Sequence, residues 1–133
     1  MPQADHPNVD TVRAMFAAFR SRDLAAILQT IPESLVWHFP GQRGELAGAH
    51  RGREAVLGFV ARVLELTGGT FDLELEDVVG GDRNVIALFR GHATRGTKTL
   101  DNPTCLRVRF EHGKPAEIHE FVWDLYAVDD FWS

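Results

Sequence analysis

Three histidines stand on segments of strand character, and imidazole is the side chain that most readily exchanges a proton near neutral pH. They are His38 in Val36-Trp37-His38-Phe39, His92 in Phe89-Arg90-Gly91-His92, and His119 in Ile118-His119-Glu120. Asp124 lies five residues beyond the last of them. Set at the bottom of an apolar pocket, such a group would do acid–base work: His38 as the proton carrier, His119 or Asp124 orienting it, His92 as a further candidate. Each histidine alone also has a plain role open to it, as a core or interface residue satisfied by a backbone group. Three imidazoles and a carboxylate could in principle hold zinc or iron. No HxH or HExxH spacing occurs, so the reading is that there is no metal site. No dinucleotide fingerprint, phosphate loop or flavin-type motif is present, and no cofactor is expected.

These residues must be positioned by a chain of 133 residues, a length that suits one domain spanning residues 1–133. Val12, Met15, Phe16 and Phe19 recur at helical steps and predict a helix starting near Pro7 or Asn8. Asp23 reads as the cap of a short second helix that Pro32 stops. Residues 34–39 read as a strand, residues 42–52 as a glycine-rich loop forming a mobile rim, and Val56, Val60, Val63 and Leu64 as the buried stripe of a third helix. Beyond Gly68-Gly69 the periodicity changes to that of strands. Phe71, Leu73 and Leu75 alternate with acidic residues, residues 85–92 are almost wholly apolar, and Leu106, Val108 and Phe110 alternate with Cys105, Arg107 and Arg109. A last strand is expected from about Ala116 to Tyr126, followed by a short aromatic tail. Helices first and an antiparallel meander second describe an α+β protein, with three N-terminal helices packed on one face of a strongly curved antiparallel sheet.

Composition narrows the function classes. A net charge of −5 and the lack of a basic stripe argue against nucleic-acid binding. The single cysteine, Cys105, excludes an internal disulfide. No apolar run is long enough for a membrane span, and the polar N-terminus lacks a secretory h-region; the expected location is cytoplasmic.

The order of elements, together with Val36-Trp37-His38-Phe39-Pro40-Gly41, Arg51-Gly52-Arg53-Glu54-Ala55-Val56, Gly113-Lys114 and Asp129-Asp130-Phe131-Trp132, resembles the SnoaL-like and ketosteroid-isomerase-like members of the NTF2-like superfamily. The resemblance covers almost the whole chain. It implies a cone-shaped fold that encloses a pocket, usually in a dimer. The isomerases' basic Asp matches His38 here, and their oxyanion-binding Tyr and Asp match Met15 and Leu106, neither of which donates a hydrogen bond. Steroid-isomerase machinery is therefore not expected. The SnoaL-type cyclases' His matches His92, and their Asp on the last strand falls nearer Trp123 than Asp124. A two-residue hairpin at His112-Gly113 points His119, Phe121 and Trp123 inward, whereas a bulge would bring Asp124 inside. With Met15, Phe19, Trp37, His92 and Leu106, Phe121 and Trp123 complete the expected pocket lining. The expected ligand is an apolar, polycyclic or lipid-like small molecule, handled by a cofactor-free isomerase, cyclase or hydratase. A non-catalytic binding module or a structural dimer is the alternative, and the doubly apolar strand at 85–92 favours a homodimer through the outer sheet face.

Overall fold

The computed structural model describes residues 5–133. Helix α1 (Pro7–Ser21) opens with Pro at its first position, and the His6 ring accepts a hydrogen bond from the Asn8 amide. It ends where Arg22 turns left-handed. Asp23 caps α2 (Leu24–Gln29) by accepting from the amides of Ala25 and Ala26. Strands β1 (Val36–Phe39) and β2 (Gly48–Arg51) precede α3 (Arg53–Leu66). Then come β3 (Asp72–Gly80), β4 (Asn84–Arg95), β5 (Lys98–Glu111), β6 (Lys114–Val122) and a closing helix α4 (Leu125–Trp132).

The six strands form one sheet in the order β2-β1-β6-β5-β4-β3. All neighbours are antiparallel except β1 and β6, which run parallel with Trp37 beside Ile118 and His38 beside His119. The α+β class and the curved sheet match the reading of the sequence; three details differ. Residues 48–51 pair with β1 as a short strand, because Gly48 and Gly52, both at positive φ, free the chain to turn at each end. The last strand stops at Val122, and the expected aromatic tail is a fourth helix, begun by Asp124. The glycine-rich loop is pinned: the amides of Gln42 and Arg43 donate to the Asp129 carboxylate at 3.0 and 2.8 Å, and Leu46 is fully buried. Those amides, Arg43 foremost, hold the Asp129 carboxyl below its usual range.

Two bulges decide which side chains face the helices. In β3 the register shifts between Leu75 and Asp77, so inward positions pass from Leu73 and Leu75 to Val78. In β6, Phe110 pairs with Pro115 but Arg109 pairs with Glu117, leaving Ala116 unpaired. Downstream of Ala116 the even-numbered residues Ile118, Glu120 and Val122 point inward. The core lies between this concave face and the helices, with Val12 and Phe16 of α1, Val56 and Val60 of α3, and Phe131 and Trp132 of α4 packed against Ala87, Phe89, Val108 and Ile118. Helix α4 is anchored at its C-terminal end, where cations belong: Arg95 donates to the carbonyls of Phe131 and Ser133, and Lys98 to that of Asp130.

Candidate active site

An apolar cavity of about 110 Å³ lies between the concave sheet face and the helices. Met15, Phe19, Trp37 and Leu106 line it, as the sequence suggests. His38, His92, His119, Phe121, Trp123 and Asp124 do not. Strand alternation gives the reason for each. Trp37 and Phe39 point inward, so His38 between them points outward. Gly91 lines the cavity, so His92 lies on the outer face, its ring nitrogens 3.4 Å from Glu74 and Asp101. The bulge at Ala116 reverses the face that a regular hairpin would give His119 and Phe121. Trp123 is 85% exposed. Asp124 caps α4 by accepting from the Ala127 amide at 3.0 Å, while its own amide donates to Asn102 Oδ1.

In their place the cavity contains Glu120. Among the described residues lining it, this is the one with an ionisable side chain; Thr30, Asn102, Thr104 and the Trp37 indole supply the other polar groups. Trp37 Nε1 donates to Glu120 Oε1 at 3.2 Å, and the indole is wedged against the Phe59 ring at 5.4 Å between centroids. Glu120 Oε2 has no hydrogen-bond partner among the described residues. Burial among apolar groups pushes the Glu120 carboxyl up to about 7, although the Trp37 bond pulls the other way. A carboxyl with that value exchanges its proton near neutral pH, the property expected of His38 from its imidazole. Asn102 and Thr104 sit on the same face of β5, the strand that pairs with β6 and sets Leu106 opposite Glu120. Asn102 is buried, with its amide donating to the Pro103 carbonyl.

Sequence reasoning passed over Glu120 because its neighbour is a histidine and the hairpin parity placed it outside. One signal was available: between Ile118 and Val122, Glu120 continues an apolar series at two-residue spacing.

The histidines form a separate group on the opposite face. His38 and His119 stack with centroids 4.2 Å apart, and His38 Nε2 meets Glu117 Oε2 at 2.6 Å. That bond, helped by His119 and Arg109, holds the Glu117 carboxyl below its usual range.

No helix among the described residues is long and apolar enough to cross a membrane. An uncharacterised protein of Mycobacterium tuberculosis is 34% identical over 130 residues, which cover 97% of this chain and 98% of that one. The solved structure of Bal32a, from a soil-derived mobile gene cassette, superposes with a TM-score of 0.90 at 39% identity, over 96% of this chain and 97% of that one. TerC, co-crystallised with polyporic acid, has a TM-score of 0.80 at 24% identity, over 94% and 97% of the two chains. The fold is thus the NTF2-like cone. With the SnoaL-like domain model matching residues 12–118, the cone, its cavity and the sequence agree, and this chain belongs to the SnoaL-like domain family.

Proposed function

We propose that the cavity takes up a small apolar molecule with one polar handle, and that Glu120 moves a proton on it without a cofactor. The observation that carries this reading is the Glu120 carboxyl, raised to about 7 in an apolar cavity, with one oxygen tied to Trp37 and the other free. Protonated, it donates to a carbonyl or leaving oxygen; ionised, it takes a proton from carbon or water. Aromatic walls exclude water, which strengthens both interactions. A cavity of about 110 Å³ is of the order of the engineered apolar hole of ~150 Å³ that binds benzene. That size favours a one- or two-ring ligand over a larger polycycle. The co-crystallised ligand of TerC supports the idea that this fold holds a small molecule.

Exchange of the α-protons of cyclohexanone in D2O, followed by NMR, tests the proposal. The wild-type protein is expected to accelerate exchange over buffer, and Glu120→Gln to lose about 10²- to 10⁴-fold of that acceleration. Binding without exchange would turn the reading to a non-catalytic binding module. Neither binding nor exchange would remove the cavity as the site.

We also propose a homodimer through the outer sheet face, where Leu88 is 40% and Phe121 56% exposed on neighbouring parts of one surface. Sedimentation is expected to report a dimer for wild type and a monomer for Phe121→Glu, since a charge placed in such an interface is left unpaired. A monomeric wild type would refute it.

A further inference from the structure

The outer face of the sheet carries a second chemically distinct group, unrelated to the cavity. Glu117 and His119 are two apart on β6 and therefore share a face; His38, on the parallel neighbour β1, stands beside His119 in register. The three residues each offer one ligand atom, and these atoms all lie within 4.8 Å of one another. We propose that His38, Glu117 and His119 form a binding site for a divalent transition metal.

Two imidazole nitrogens and one carboxylate oxygen suit borderline cations such as zinc, nickel or copper better than calcium or magnesium. Three protein ligands leave at least one position open for water or a further donor. In the single chain the group is reachable, the His38 and Glu117 side chains being 30% and 28% exposed, and in the proposed dimer it borders the interface through His119, which stacks on Phe121. A second observation points the same way. His119 Nδ1 is buried and has no hydrogen-bond partner among the described residues, an uncompensated polar atom on one of the three residues. Without an ion, His38 is held to Glu117 by a hydrogen bond at 2.6 Å, and a cation would replace the proton in it. Arg109 Nε reaches the other Glu117 oxygen, Oε1, at 3.4 Å and so orients the carboxylate from outside the ligand set. Metal–ligand bonds of about 2.0–2.2 Å require the three atoms to draw together, which small rotations of these half-buried side chains supply.

Calorimetric titration of the full chain with Zn2+ alone, paired with NMR of the assigned histidine rings, tests the site. The expected result is saturable one-to-one binding that shifts the rings of His38 and His119 and leaves those of His6, His50, His92 and His112 in place. His119→Gln and Glu117→Gln are each expected to weaken binding by about 100-fold with the NMR fold pattern retained. Binding that leaves the His38 and His119 rings unmoved, or that survives both substitutions, would overturn the proposal, as would no saturable binding. The ring shifts are read in the wild type, so the outcome does not depend on either variant folding.

Discussion

Glu120→Gln is expected to stabilise the protein at pH 8 by about 2 kcal/mol and to destabilise it at pH 4 by about 1 kcal/mol. In the folded state the Glu120 carboxyl is raised from 4.5 to about 7 by burial in the cavity. Between those values the native state holds a proton that the unfolded state has released. Wild-type stability therefore falls as pH rises from about 4.5 through 7, and above that the ionised carboxylate carries the full penalty. The penalty alone is on the order of 3 kcal/mol, and a glutamine amide brings two donors that the apolar wall cannot fully satisfy, which offsets part of the gain. Below pH 4.5 both side chains are neutral, the ionisation penalty is gone, and the cost of the glutamine donors, about 1 kcal/mol, remains. Urea unfolding of the two proteins across pH 4 to 8 measures it directly. A difference that stays flat over this range would mean that Glu120 is solvated, and the proton-transfer proposal would lose its basis.

Inserting one alanine between Ile118 and His119 is expected to cost more than about 4 kcal/mol and to leave little folded protein, whereas deleting Ala116 should cost less than about 2 kcal/mol. Ala116 is the extra residue that stands between the pairs of Phe110 with Pro115 and Arg109 with Glu117. Without it those pairs become consecutive, and Ile118, Glu120 and Val122 keep their inward face. The insertion instead turns His119 and Phe121 toward the core and Glu120 and Val122 toward solvent, which buries an imidazole among apolar groups and breaks the Trp37 bond to Glu120. The parallel pairing of His38 with His119 would fail with it. Near-UV circular dichroism and chemical denaturation of the two variants provide the comparison. If the insertion variant kept wild-type stability, the face assigned to Glu120 would have to be given up.

The bulge also explains why His119 and Phe121, expected to face the pocket, lie on the outer face of the sheet. Pocket-lining Met15 and Phe19 were legible because a helix of known start has one buried stripe, and Phe16, Phe19 and Met15 fall on it. Trp37 and Leu106 were legible because their strands alternate without interruption. His38 was drawn inward by its chemistry, although Trp37 and Phe39 had already taken that face. On β6 the parity rule held perfectly from the turn as far as Pro115 and then inverted at one unpaired alanine.

Local sequence was thus sufficient for what depends on local physics. The caps at Asp23, the helical stripes, the strand alternation and the change from helices to strands at Gly68-Gly69 all follow from backbone and side-chain preferences within a few residues. With them came the α+β class and the SnoaL-like family. Tertiary structure decided the rest: the pairing of residues 48–51 with β1, the parallel contact of β1 with β6, the helical end that Asp124 caps, and the bulge. A bulge is stabilised by the packing of its strand against both neighbours and carries no compositional mark of its own. For that reason the nine residues of β6 present a histidine to the cavity by simple alternation and a glutamate in the folded protein.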